Sequence, residues 1–310
     1  MQALKYLTIL FFCLWCPLVS SKPGVLQAIS RLEHTNSPLI VYPTQFTQNI
    51  VPKPIHSHND YWRDVPLLSA ISLGISSVEA DVWLVDGELL VGHERAALSR
   101  NRTLGSLYVQ PLLNILALQN PVNDFTVNQT GRNGVFDTSS GTSLQLLIDM
   151  KTDGPSTLPF VLKALEPLRM AHYLTTFSEG VLIKSAVTIV GTGNTPLNGI
   201  KLLSPRDIFF DAQLTDLGIP SNTTWDITLA PLASTDYAAT VSWNGIGNIT
   251  ERDQVKIKAL IEVAHSMGIK ARFWDTPSWP VGARNNVWRV LLDSGVDWLN
   301  ADDLNAASEF

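Results

Sequence analysis

The chain of 310 residues is 45% hydrophobic and 16% charged, with a formal net charge of −6 at pH 7. This length and apolar content allow a large buried core in one large domain. The acidic balance and the lack of a basic run exclude nucleic acid as an expected partner.

Residues 1–21 are typical of a secretory signal peptide. They combine one lysine, an apolar run and two final serines in the sequence MQALKYLTILFFCLWCPLVSS. The run is shorter than the roughly 20 apolar residues of a transmembrane helix, and an uncleaved anchor is the alternative. Cys13 and Cys16 both lie in this segment. Cleavage would leave a mature chain without thiols, which excludes a zinc cluster or a thiol nucleophile.

Four Asn-x-Thr sequons agree with passage through the secretory pathway. They begin at Asn101, Asn128, Asn222 and Asn248. We therefore expect a secreted glycoprotein with no stable transmembrane segment in its mature chain. The sequence does not predict its oligomeric state.

Residues 22–52 have mixed composition and are interpreted as an N-terminal arm. From residue 53 onward, apolar β-branched segments alternate with segments of helical period. One strand ends near His56, and further strands are predicted over 75–85, 143–151, 185–191, 207–213, 239–245, 269–275 and 296–302. Such strands are too apolar for a half-solvated sheet. The pattern predicts an α/β fold, a closed (β/α)8 barrel over 53–310, with an insertion around 94–142.

Three pairs of polar residues, each spaced i, i+2, fall near the ends of the first three predicted strands. They are His56 and His58, Glu79 and Asp81, and Asp149 and Lys151. Residues two apart in a strand point to the same face, and active sites of barrels lie at the carboxyl ends of the strands. We therefore expect these six side chains to meet in one small volume.

Three carboxylates in that volume require a cation. Glu79, Asp81 and Asp149 would repel one another away from bulk water unless positive charge neutralised them. Oxygen ligands favour a hard divalent ion, so the predicted cofactor is Mg²⁺ or Ca²⁺. His93, delivered by the turn and short strand of DGELLVGHE, is expected close to Asp81.

These motifs resemble known phosphodiesterases. The order H-N-D, E-A-D-V and V-G-H-E, at 58–60, 79–82 and 91–94, resembles glycerophosphodiester phosphodiesterases, and the later D-x-K is similar to spider-venom sphingomyelinase D. The stretches HNDYWR and VEADVWLVD resemble most strongly the fungal altered inheritance of mitochondria protein six family, placed among phospholipase C-like phosphodiesterases. The resemblance covers about residues 53–305. Asn59-Asp60 stands where the bacterial enzymes have Arg-Gly.

The resemblance implies a metal-dependent phosphoric diester hydrolase with a glycerophosphodiester or phospholipid-like substrate. It assigns His58 as base or nucleophile and His93 as general acid. Lys151 would add a second positive charge beside the metal ion, because a phosphodiester is negatively charged. His56 is interpreted as a supporting hydrogen-bond partner. A cyclising phosphorus-oxygen lyase and an inactive barrel that binds a phosphorylated lipid or sugar are the alternatives.

Three further residues are candidate substrate contacts. Trp274 resembles an aromatic residue that contacts substrate in the sphingomyelinase D branch. Arg63 is interpreted either as a phosphate contact or as part of a salt bridge on its loop. Asp302 ends the eighth predicted strand and is interpreted either as a substrate contact or as a solvated carboxylate.

Overall fold

The computed structural model describes residues 24–310. The predicted signal peptide and both cysteines lie outside the described residues. The chain divides into a unit that ends at Tyr42 and a second unit, Pro43–Phe310. The described part of the first unit contains helix α1 (Val25–His34), whose side chains are not buried.

The second unit contains strands and helices in alternation. Its strands are β1 (Lys53–Ser57), β2 (Ile75–Val85), β3 (Glu88–Val91), β4 (Leu144–Met150), β5 (Thr176–Ser178), β6 (Val181–Ile183), β7 (Val187–Gly193), β8 (Ile208–Gln213), β9 (Leu232–Asp236), β10 (Lys270–Trp274) and β11 (Leu299–Ala301). Its helices are α2 (Leu68–Ser72), α3 (Gln110–Gln119), α4 (Gly154–Ala164), α5 (Glu166–Met170), α6 (Leu197–Lys201), α7 (Tyr237–Thr240), α8 (Glu251–Ser266), α9 (Val281–Asp293) and α10 (Leu304–Ser308).

Eight parallel strands form a nearly closed barrel, which confirms the predicted fold class. Their order is β10, β9, β8, β7, β4, β2, β1 and β11, and β3 pairs antiparallel with the end of β2. A parallel bridge between Arg272 and Trp298 joins the two ends of this order. The helices cover the outside, so the strands are buried on both faces and read as apolar runs.

The sixth barrel strand differs from the prediction. We expected it over 239–245, but the strand is β9, and residues 237–240 form helix α7. Val241 and Trp243 are buried as predicted for a strand, yet they belong to a separate apolar cluster with Tyr237, whose hydroxyl donates to the Trp243 carbonyl at 2.9 Å. Burial of a loop against a helix therefore imitated the pattern of a strand.

The segment 94–142 contains the helix that follows β2 in the barrel. Leu112, Ile115 and Leu116 of α3 are buried in the main core. The part of the segment that follows α3 is hydrogen-bonded to the rest of the unit, for example by the Thr47 hydroxyl, which donates to the Val135 carbonyl at 2.7 Å. Within residues 24–310, no helix combines the length and the apolar composition that crossing a bilayer requires.

An apolar layer fills the middle of the barrel. It consists of Leu147, Val190, Leu232 and Trp298, all at most 6% exposed. Each precedes by two residues a polar side chain on the same strand face: Asp149, Thr192, Ser234 and Asn300. The apolar layer therefore closes the floor beneath a polar region at the carboxyl ends of the strands.

Candidate active site

The carboxyl ends of the barrel strands open into a cavity of about 470 Å³. Its lining includes both members of two of the pairs found in the sequence and His58 of the third. The charged and polar residues that line it are His58, Asn59, Glu79, Asp81, His93, Asp149, Lys151, Thr192, Asp211, Gln213, Ser234 and Arg272. The spacing in the sequence thus identified one wall of a real cavity.

Glu79, Asp81 and Asp149 lie together on that wall. Asp81 and Asp149 are direct neighbours in the register of β2 and β4, and Glu79 precedes Asp81 by two residues on the same face. One carboxylate oxygen from each lies within 4.8 Å of the other two. This triad of carboxylates is close enough to hold one metal ion.

The electrostatics of the triad fit a cation. Burial, together with the negative charges of Glu79 and Asp149, raises the pKa of Asp81 to about 6. Burial also raises the pKa of Asp149, despite the nearby Lys151. Asp81 Oδ1 and Asp149 Oδ1 are buried and have no hydrogen-bond partner within residues 24–310. Two unpartnered carboxylate oxygens are the donor set that Mg²⁺ or Ca²⁺ prefers, so the residues present fit such an ion.

Gly193 allows Asp149 to take this position. Its φ is +63°, and a Cβ there would lie 2.0 Å from Asp149 Oδ1. Any larger residue would push the carboxylate out of the triad. The end of β7 therefore shapes the triad without supplying a ligand.

Lys151 is already engaged by the triad. Its ammonium lies 3.0 Å from Asp81 Oδ2 and 2.9 Å from Asp149 Oδ2. Burial lowers the pKa of Lys151, but the two carboxylates outweigh this effect and leave it raised. Lys151 is therefore a fixed positive charge at the edge of the triad.

His58 is oriented by Asp302. The imidazole Nδ1 lies 2.9 Å from Asp302 Oδ1, and Nε2 lies 3.9 Å from Glu79 Oε2. Burial lowers the pKa of His58, but its contacts with Asp302 and Glu79 together raise it above its usual value. Because Nδ1 is occupied, Nε2 is the nitrogen that faces the triad.

Arg63 connects the residue that follows β1, His58, to the residue that follows β11, Asp302. Its guanidinium donates to the backbone carbonyls of Asp302 and His58. Neither Arg63 nor Asp302 is among the residues that line the 470 Å³ cavity. Direct substrate contact by these two residues stays a prediction, while their observed contacts position His58.

His93 reaches the triad from the end of β3. Its Nδ1 lies 3.3 Å from Asp81 Oδ2 and 3.2 Å from the Tyr61 hydroxyl, and its ring packs edge-on against Trp62 at 5.3 Å. Its Nε2 has no partner among the described residues. Tyr61, which donates to Asp81 Oδ2 at 2.7 Å, was not identified from the sequence. The two histidines thus both lie beside the triad, His58 through Nε2 and His93 through Nδ1.

His56 is buried behind Glu79. Its Nδ1 lies 2.7 Å from Ser77 Oγ, and Nε2 lies 3.6 Å from Glu79 Oε2. Burial and the nearby Arg272 lower the pKa of His56 to about 4, so the ring is neutral at pH 7. Its position is that of a support for Glu79.

Asp60, the last residue of the H-N-D motif, has a structural role. Its carboxylate is fully buried and accepts hydrogen bonds from Ser57 Oγ at 2.7 Å, the Leu67 amide at 2.6 Å and the Tyr108 hydroxyl at 3.1 Å. Asn59 has a φ of 50°, a left-handed conformation that asparagine tolerates well. The motif therefore bends the chain directly after His58 and fixes the bend.

The opposite wall was largely missed by the sequence analysis. Arg272 and Asp211 are both buried in the barrel, with Nη2 of the first 3.5 Å from Oδ2 of the second. Trp274, predicted as a substrate contact, lines the rim and is 36% exposed. A charged residue inside an apolar strand was the available signal for Arg272, which precedes Trp274 by two positions.

Comparisons with known proteins identify the family of the chain. Residues 44–211 match a family model described as the AIM6-like phosphodiesterase domain, and this range includes the triad and both candidate catalytic histidines. A barrel with this match belongs to the phosphodiesterase-like class.

Full-length relatives extend the match beyond that domain. The chain is 43% identical over 284 residues to the altered inheritance of mitochondria protein 6 homolog of Arthroderma benhamiae, with 88% of each chain covered. It is 35% identical to the Eremothecium gossypii protein, with 83% of this chain and 69% of the relative covered. For the Saccharomyces cerevisiae protein, the identity is 34%, and 85% of this chain and 72% of the relative are covered. The chain belongs to the altered inheritance of mitochondria protein 6 family.

Proposed function

We propose that this protein is a metal-dependent phosphoric diester hydrolase. One observation carries the proposal: three carboxylates within 4.8 Å of one another lie beside two histidines, His58 next to Glu79 and His93 next to Asp81. A divalent ion in such a site would polarise a phosphoryl oxygen and offset charge in the transition state. The match to a phosphodiesterase domain supports the same reaction class.

The two histidines divide the proton transfers. His58, whose Nδ1 contacts Asp302, removes a proton from the attacking water or attacks phosphorus itself. His93, held by Asp81 and Tyr61, is placed to donate a proton to the leaving oxygen. Such transfers need groups that titrate near neutrality, which histidine supplies. With His58 as base, water adds to phosphorus, the ester oxygen leaves as an alcohol, and one proton remains on the phosphate product. With His58 as nucleophile, it displaces the ester oxygen, which leaves as an alcohol with a proton from His93, and water then cleaves the phosphorus–nitrogen bond to give the same products.

The proposed substrate is a glycerophosphodiester or a phospholipid-like diester. A cavity of about 470 Å³ has room for a phosphodiester and a small head group. Cyclisation by an internal hydroxyl of the substrate would use the same histidines, because that hydroxyl would take the place of water. Product analysis by phosphorus NMR separates the two, since a cyclic diester and a monoester have different chemical shifts.

The first prediction is that activity requires a divalent ion. The purified chain, tested against a panel of phosphodiesters, is expected to cleave at least one of them with Mg²⁺ or Ca²⁺ and to lose this activity after exhaustive chelation, because the triad would then be unneutralised. Restoring the ion should restore the rate. Full activity in the chelated protein, or no cleavage of any diester under any ionic condition, would contradict the proposed hydrolase.

We also propose that the protein enters the secretory pathway. The N-terminal pattern of residues 1–21 supports this localisation, and so does the exposure of every sequon. The asparagines Asn101, Asn128, Asn222 and Asn248 are all exposed, as acceptors of N-glycans are.

The second prediction concerns the mature chain. When the protein is produced in a eukaryotic secretory host, its N-terminus is expected near Lys22, and its intact mass is expected to fall after treatment with an N-glycosidase. A variant with Gln at all four sequon asparagines is the matched control and should show no fall. Recovery of an unmodified chain that retains Cys13 and Cys16 would contradict this localisation.

A further inference from the structure

We propose that Arg272 forms the oxyanion-binding subsite of the cavity and holds the phosphoryl oxygens of the substrate. This inference rests on the proposed function, because it names the residue that receives the charged group of a phosphodiester. It concerns the wall formed by β8, β9 and β10, opposite the triad.

Arg272 is buried yet faces the cavity. It lies in the middle of β10, is 3% exposed and is part of the cavity lining. Arginine is almost never buried at this level unless its charge is compensated. Its burial in the wall of a cavity lined by four carboxylates therefore needs an explanation in terms of its partners.

The hydrogen bonds of Arg272 leave donors available. Nε donates to Ser234 Oγ at 2.9 Å, and Nη1 donates to Asn300 Oδ1 at 3.2 Å. Within residues 24–310 these are the hydrogen bonds of the guanidinium, and Nη2 has an ion-pair contact with Asp211 Oδ2 but no hydrogen bond. A guanidinium presents its donors in a planar fork that matches two oxygens of a phosphate.

Asp211 does not use these donors fully. The distance of 3.5 Å between Nη2 and Asp211 Oδ2 is longer than the approximately 2.8 Å of a charge-assisted hydrogen bond. Asp211 Oδ1 has no hydrogen-bond partner among the described residues either. The two groups are near enough for attraction, but they do not form the bidentate pair that would satisfy the guanidinium.

The other side-chain cation of the lining is already occupied. Lys151 lies at hydrogen-bond distance from two carboxylates of the triad, so its charge offsets theirs. The lining contains four carboxylates, Asp211 and the triad, against Lys151 and Arg272. A divalent ion would balance these charges, whereas without Arg272 the cavity would remain negative and would repel an anionic diester.

The experiment measures anion binding separately from turnover. Inorganic phosphate is titrated calorimetrically into the full chain loaded with Mg²⁺, and kcat and KM are measured on the best diester. Arg272→Met is expected to weaken phosphate binding and to raise KM by about 10- to 100-fold, the usual effect of losing charge-assisted hydrogen bonds. Arg272→Lys should recover part of the affinity, because it restores the charge without the fork.

Two further variants control for stability and for net charge. Lys270→Met removes a cation from the same strand, but Lys270 packs over the Trp298 ring at 4.8 Å outside the cavity lining, so phosphate affinity should not change. Arg272→Met combined with Asp211→Asn removes both buried charges, which proteins tolerate better than the loss of one partner. This double variant keeps the test valid if Arg272→Met alone does not fold.

The outcomes separate this inference from the proposed function. Weak phosphate binding in the double variant supports the subsite, whereas wild-type affinity there would show that Arg272 only neutralises Asp211 and would overturn it. Absence of phosphate binding by the wild-type protein would also overturn it. If the protein cleaves no diester but binds phosphate in a way that depends on Arg272, the subsite is supported and the proposed hydrolase is wrong. If the wild-type protein hydrolyses a diester and Arg272→Met has unchanged phosphate affinity and KM, the hydrolase stands and the subsite is wrong.

Discussion

Replacing any one carboxylate of the triad by its amide is expected to abolish both Mg²⁺ binding and diester hydrolysis. Glu79→Gln, Asp81→Asn and Asp149→Asn preserve shape but remove a charged ligand from a set whose oxygens lie within 4.8 Å. The loss should be at least about 100-fold in turnover, as for other residues essential to the chemistry. The same change should leave the metal-free protein folded, because it relieves the repulsion that raises the pKa of Asp81 to about 6.

Thermal unfolding with and without Mg²⁺ provides the measurement. An ion at 100 times its dissociation constant stabilises a protein by about 2.7 kcal/mol, so the wild-type melting temperature should rise and those of the variants should not. Asp86→Asn is a matched control, since Asp86 follows β2 but is exposed and pairs with Arg100. If Mg²⁺ raised the melting temperatures of all three amide variants as much as that of the wild-type protein, the triad would not be the metal site.

Loss of either candidate catalytic histidine should stop turnover while leaving metal affinity nearly intact. His58→Ala and His93→Ala are each expected to reduce kcat by about 100- to 10,000-fold, because each removes a proton-transfer group and neither is counted as a ligand. His56→Ala should cost only about 10- to 100-fold, because His56 supports Glu79 from behind and has no access to the cavity.

Calorimetric titration of Mg²⁺ into each histidine variant, beside its rate on the best diester, tests both parts. His265→Ala is the surface control, since His265 lies on α8 and pairs with Asp297 at 2.7 Å. An inactive His56→Ala beside an active His58→Ala would mean that the motif is displaced by two residues, and the roles along β1 would have to be reassigned.

The triad was predictable because its geometry is local. Residues two apart on a strand share a face whatever the rest of the fold, so Glu79 and Asp81 had to point together. Placing Asp149 beside Asp81 needed two assumptions: that β2 and β4 are neighbours in a parallel sheet, and that both pairs lie near the carboxyl ends of their strands. The barrel followed from the same repetition of strands and helices.

The opposite wall was not predictable in this way. Arg272 meets Ser234, Asp211 and Asn300, which are contributed by three other strands. Contacts of this kind depend on how the barrel closes, which no local spacing encodes. The bridge between Arg272 and Trp298 at that closure is likewise a product of the complete fold.

The sixth strand shows the limit of reading apolar runs. ATVSWNG over 239–245 has β-branched and aromatic residues, whereas β9 has the weaker sequence LASTD. β9 is nevertheless a strand because its neighbours β8 and β10 supply partners on both edges. Pairing within the barrel therefore overrode local preference.

The apolar layer of Leu147, Val190, Leu232 and Trp298 closes the barrel below the cavity. The residues that line the cavity lie at the carboxyl ends of the strands, and the apolar layer lies beneath them, so we expect substrate and products to pass through the same side of the barrel. In the proposed hydrolysis, the products must therefore leave the cavity before the next diester can bind. A phosphate product that lingers would block the next substrate, so competitive inhibition by product is an expected consequence of the shape itself.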